Sequence, residues 1–144
     1  MAKVAIVSPI LPQSTSGNDI TANRWAQLIE SEHSVLTVQV DEQDESLPSD
    51  SAATLGQAEV LIALHGRRSA TAIQWWRDQQ SPKPLIVALT GTDLYSDLPD
   101  DPATIASTEA ADAVIVLQTE AVARLQEMNP AWAAKAQVLS LIHI

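Results

Sequence analysis

Residues 85–97, LIVALTGTDLYSD, decide the fold. Five apolar residues stand in a row, Leu85-Ile86-Val87-Ala88-Leu89, and break into a polar turn, Thr90-Gly91-Thr92-Asp93. A continuous apolar run between turn residues reads as a strand buried on both faces, as in a parallel sheet. In such sheets, ligands sit beyond the carboxyl ends of the strands. Gly91 allows a close backbone approach or a positive φ, and Thr90, Thr92 and Asp93 around it can hydrogen-bond. The same residues also suit an ordinary strand-to-helix loop whose Thr and Asp cap the turn at residues 94–97.

The pattern repeats on both sides of this stretch. Residues 3–8 hold Val4-Ala5-Ile6-Val7 and predict the first strand, ended by Pro9 and Pro12 and followed by a polar loop, residues 13–18, that carries Gly17. Trp25, Leu28 and Ile29 recur at helical spacing and predict a helix over residues 21–32. Residues 35–40 predict a second strand near a sheet edge. A short helix is expected over residues 51–55, with Gly56 as its C-cap. Residues 60–64 form the third strand and end in His65-Gly66-Arg67-Arg68. A helix follows over residues 69–79, with Ala72, Ile73 and Trp76 inward. Beyond the fourth strand, Asp101-Pro102 has the form of an N-cap with proline at the first helical position, opening a helix to about Ala111. Residues 114–117 are the fifth strand, 119–128 a helix, and 136–138 the start of a sixth strand. Alternation of this kind predicts an α/β fold: a doubly wound, mainly parallel sheet with helices on both faces, in one domain over residues 1–138.

The 144 residues and 46% hydrophobic content are enough for a real core. With no cysteine there is no disulfide framework, no thiolate nucleophile and no cysteine-based zinc site. That composition fits a cytoplasmic protein, and the first residues form neither a signal peptide nor a membrane span. A net charge of −10 repels phosphate backbones and anionic membrane, so nucleic acid and membrane are poor partners. One tyrosine and no phenylalanine leave no series of stacking platforms for single strands. The acids Asp41, Glu42, Asp44, Glu45 and Asp50 gather in what reads as a solvated loop.

Against that background the few cations matter. Gly17, Gly66 and Gly91 each follow an apolar strand, and beside them stand Asn18, Thr21, Arg24, His65, Arg67, Arg68, Thr90, Thr92 and Asp93. Two arginines just ahead of a helix are unfavourable unless something negative sits there. Free amides, a helix end and guanidinium forks together make a phosphate site. Equally, both arginines can face water or pair with the chain's surplus acids. His65 can act as acid or base or orient a phosphate, or be a satisfied polar residue. Asp93 can be a base, bind a hydroxyl, or cap its own turn. Trp75 and Trp76 read as packing. No dinucleotide fingerprint, Walker motif, nucleophile elbow or histidine cluster is present, so no cofactor and no metal site is expected.

Three segments together carry a resemblance: S-G-N-x-x-T-A-x-R-W-A from Ser16 to Ala26, A-L-H-G-R-R-S-A from Ala63 to Ala70, and V-A-L-T-G-T-D-L-Y-x-D-L-P from Val87 to Pro99. They resemble the amino-terminal half of a GT-B glycosyltransferase, and more narrowly the selenosugar synthases of selenoneine biosynthesis. The resemblance implies a Rossmann-like, acceptor-side domain and transfer of N-acetylglucosamine from UDP-N-acetylglucosamine to selenophosphate, giving a selenosugar, UDP and phosphate. On their own chemistry, His65 and Asp93 are the catalytic candidates. The resemblance also implies Gly17, Asn18, Thr21, Arg24, Gly66, Arg67, Arg68, Thr90, Gly91, Thr92 and Tyr95 as substrate-binding candidates. The donor would be held mostly by a carboxyl-terminal domain, which is expected to be missing here. The last six residues, L-S-L-I-H-I at 139–144, match the translation of a transposon-end sequencing adaptor, so native sequence is expected to stop near Val138 and the fragment to be inactive alone. The same letters also fit the end of a strand. Two other readings stay open: a glycosyltransferase half with a conventional hydroxyl acceptor, and a non-catalytic anion-binding α/β module.

Overall fold

The computed structural model describes residues 2–9, 17–41, 43–90 and 93–139, with residues 17–20 described by their backbone. Six strands form one sheet: β1 (Lys3–Pro9), β2 (Ser34–Val40), β3 (Val60–Leu64), β4 (Leu85–Leu89), β5 (Ala113–Val116) and β6 (Ala136–Val138). All are parallel, in the order β2-β1-β3-β4-β5-β6. The helices between them are α1 (Gly17–Ile29), α2 (Ser49–Leu55), α3 (Ala70–Arg77), α4 (Pro102–Ala110), α5 (Thr119–Met128) and α6 (Pro130–Ala134). The α/β, Rossmann-like architecture expected from the alternation is what forms.

Alternation along each strand sorts the core into two layers. Ala5, Val7, Leu61, Ala63, Leu85, Val87, Leu89, Val114 and Val116 point to one face, where Leu55, Ala72, Ile73, Trp76, Ala121, Leu125 and Trp132 pack on them. Val4, Ile6, Ile62, Leu64 and Ala88 point to the other, under Ala22, Trp25 and Ala26 of α1. Right-handed crossovers explain the unequal split. The chain steps one way from β1 to β2, placing α1 on one face. It then steps the opposite way through β3, β4, β5 and β6, placing the later helices on the other. Fully buried residues such as Leu61, Leu64, Leu85 and Val87 each stabilise the sheet by roughly 1.5–3 kcal/mol.

The local signals held in most places. Asp101 caps α4 through Oδ2, which accepts from the Thr104 N–H at 2.9 Å and the Thr104 hydroxyl at 2.8 Å, with Pro102 at the first position. β2 stands at one edge of the sheet, as expected, and β6 at the other. Two differences matter. Gly17 and Asn18 belong to the first turn of α1, not to the preceding loop, because the helix begins before the first apolar repeat. The short α6 was not anticipated, although Asn129-Pro130 marks its start; the Asn129 side chain accepts from the Ala131 N–H at 3.0 Å. Among the described residues no helix is long and apolar enough to cross a membrane.

Candidate functional site

Strand order locates the site. β1 and β3 are neighbours, but their connections leave in opposite directions, so the switch point lies between them. The loop after β3, from His65 to Ser69, stands at this point on the carboxyl edge.

The β3–β4 pairing extends one residue past β3, because the His65 N–H donates to the Ala88 carbonyl at 2.9 Å. The chain then turns sharply. His65, rather than the glycine beside it, takes φ = 74°, a left-handed backbone uncommon for a residue with a side chain. Its ring is buried, and Nδ1 accepts from the Arg68 N–H at 3.1 Å. That contact requires an unprotonated Nδ1, which leaves the ring proton on Nε2. Burial lowers the pKa of His65, the Asp93 carboxylate opposes that, and Arg68 and Arg67 lower it further, with Asp97 raising it. The net direction is downward, so the neutral imidazole is favoured.

Gly66 is buried and held from two sides. Its N–H donates to Asp93 Oδ2 at 2.8 Å, and its carbonyl accepts from the Ser107 hydroxyl at 2.6 Å. A Cβ at this position would meet Leu89 Cδ2 and Thr104 Cγ2, each at 3.4 Å, which is ordinary van der Waals contact. The Ser69 hydroxyl donates to the Leu64 carbonyl, which ties the start of α3 to the end of β3. Arg67 Nε lies 2.8 Å from Asp97 Oδ2. No acid stands in the first turn of α3, and Ser69 makes no side-chain capping bond to it.

Asp93 and Asp97 open and close a single π-helical turn after β4. Asp93 is fully buried. Its Oδ1 accepts from its own neighbour, the Leu94 N–H, at 3.0 Å while Oδ2 holds Gly66. Both carboxylate oxygens therefore serve backbone donors. The turn thus braces the arginine loop at two points, Gly66 and Arg67.

The structure brings His65, Gly66, Arg67, Arg68 and Asp93 into one connected cluster, with Thr90 and Tyr95 on the same edge beside it. Thr21 is buried and Arg24 exposed in the second turn of α1, on the opposite face of the sheet. The side chain of Asn18, and all of Gly91 and Thr92, lie outside what the structure describes, and Gly17 is described by its backbone. Convergence of the three glycine loops is therefore seen for the β3 and β4 ends. Three members were missed from sequence: Ser107 and Asp97, which contact the loop from 41 and 30 residues away, and Ser69. Only Ser69, a hydroxyl before a helix, carried a local signal. Among the described residues no group of three or more His, Asp or Glu could hold a metal ion.

Chemically, the loop offers two guanidinium groups and an uncapped helix start, restrained by buried hydrogen bonds. Such a surface can receive a small anion in competition with Asp97. No protein-family model matches the chain, and a search of curated proteins finds no relative.

Proposed function

We propose that this chain is the acceptor-side half of a GT-B glycosyltransferase and that its loop at residues 65–68 receives selenophosphate. The observation that carries the reading is the position and bracing of Arg67 and Arg68. They sit at the sheet's switch point, on a loop held by Asp93 and Ser107. In a net acidic chain, this is where a small dianion gains two charge-assisted contacts.

In the proposed reaction, selenium attacks the anomeric carbon of N-acetylglucosamine. The bond from that carbon to the diphosphate oxygen breaks, and its electron pair leaves on UDP. Water then cleaves the P–Se bond, releasing phosphate and the seleno sugar. The neutral His65 ring holds the Arg68 backbone in place through Nδ1. Asp93 acts as a positioning residue through Gly66. The UDP-sugar donor is held mainly by a second domain that the resemblance places after residue 138.

The test is turnover by the protein of the complete reading frame, with UDP-N-acetylglucosamine and either selenophosphate or a hydroxyl acceptor. Selenophosphate-dependent UDP release is expected. Arg67→Ala and Arg68→Ala should each raise the selenophosphate KM about 10- to 100-fold, the value of a lost charged hydrogen bond. An unchanged KM refutes the anion site.

One observation favours a second reading. The Arg67–Asp97 pair at 2.8 Å already offsets half of the loop's charge, which suits a neutral hydroxyl acceptor. Turnover with hydroxyl acceptors alone would select it, and phosphate binding without any turnover would select a non-catalytic anion-binding module.

A further inference from the structure

A hollow of about 220 Å³ opens at the carboxyl ends of β4 and β5, lined by Thr90, Leu94, Tyr95, Leu117, Gln118 and Ala121. It adjoins the arginine loop through the π-helical turn, whose Asp93 binds Gly66 and whose next two residues line the hollow. Among the described residues no charged side chain lines it. It is smaller than the roughly 300–1,000 Å³ of a site for a drug-sized ligand, so it suits one ring rather than a whole nucleotide sugar.

The lining has two parts. Leu94, Leu117 and Ala121 are apolar, and Tyr95 adds an aromatic ring. Tyr95 is 46% exposed. It is nevertheless fixed. The Arg124 guanidinium lies 5.4 Å from the ring centroid and donates to the carbonyls of Tyr95 at 3.1 Å and Leu94 at 3.4 Å. The second part is polar. The Thr90 hydroxyl, the Tyr95 hydroxyl and the Gln118 amide make no hydrogen bond among the described residues. Gln118 directly precedes α5 yet does not cap it.

We infer that this hollow binds a flat, neutral heteroaromatic ring of the nucleobase type. Apolar walls and a pinned aromatic side chain favour a planar π-face, for which stacking is the usual mode. The Gln118 amide, with a donor group and an acceptor, matches the adjacent N–H and C=O of such a ring's edge, as glutamine does in base recognition. Absence of a lining charge disfavours an ionic group. The π-helical turn stands between this site and the acceptor loop, and the site does not depend on the glycosyl-transfer reading.

The test is a ¹H–¹⁵N titration of this chain with uridine and adenosine, which carry no phosphate. N-acetylglucosamine and inorganic phosphate serve as comparison probes. A nucleoside should give saturable shifts at Thr90, Leu94, Tyr95 and Gln118, with a Kd of roughly 1–10 mM for so small a fragment. Tyr95→Ala should weaken it at least about fivefold, while Tyr95→Phe keeps the ring and most of the affinity. Arg67→Ala should abolish phosphate shifts and leave nucleoside binding unchanged, which separates this site from the acceptor loop. The inference is overturned if neither nucleoside saturates, if N-acetylglucosamine saturates these residues instead, or if a folded Tyr95→Ala binds as well as the parent.

Discussion

Removing the Asp93 carboxylate should unravel the arginine loop before it unravels the sheet. Asp93 is fully buried and accepts from the Gly66 N–H at 2.8 Å and the Leu94 N–H at 3.0 Å. Asp93→Ala leaves the buried Gly66 N–H without an acceptor, which costs about 1–3 kcal/mol. Loss of the longer Leu94 contact adds about 1 kcal/mol, the net value of an ordinary hydrogen bond. The sum is about 2–4 kcal/mol. With a urea m-value near 2 kcal/mol/M, the midpoint should fall by about 1–2 M. Tryptophan fluorescence suits the assay because Trp25, Trp76 and Trp132 are all buried. Ser107→Ala removes a neutral bond on the other side of the same residue, Gly66, and should cost only about 1 kcal/mol. The reasoning fails if Asp93→Ala lowers stability by less than Ser107→Ala. In that case Gly66 is not held by the carboxylate, and Asp93 is available for the catalytic role.

Two other predictions concern residues nearby. The pKa of His65 lies below its ordinary value of about 6.5. As pH falls through about 6.5, the unfolded chain takes up a proton that the folded chain resists, so stability falls; above that range both states are neutral and nothing changes. The difference in urea midpoint between pH 7.5 and pH 5 should therefore be smaller in His65→Asn, which also tolerates the left-handed backbone; an equal difference would contradict the burial argument. Asp101→Ala removes the N-cap of α4 and should cost about 0.5–2 kcal/mol in thermal or urea unfolding, while Asp101→Asn or Asp101→Ser recovers most of it.

How much was legible follows from the range over which each feature is decided. The strand at Leu85–Leu89, the inward set Ala72, Ile73 and Trp76, and the Asp101-Pro102 helix start were all readable. Burial of a periodic face and capping of a helix end are settled within a few residues, and composition records them directly. The start of α1 was misplaced, because its first turn lacks apolar periodicity.

The site is different. That Asp93 serves Gly66, that Asp97 pairs with Arg67, and that Ser107 reaches the Gly66 carbonyl are contacts across 27 to 41 residues. No local pattern distinguishes a capping aspartate from one that braces a neighbouring loop. Nor does a histidine next to a glycine announce that the histidine will take the positive φ. The amino-acid sequence by itself determined a parallel α/β sheet with polar tips and paired arginines after its third strand. Only the tertiary structure decided which acid meets which donor, because parallel strands become neighbours through crossover connections that bring distant loops to one edge.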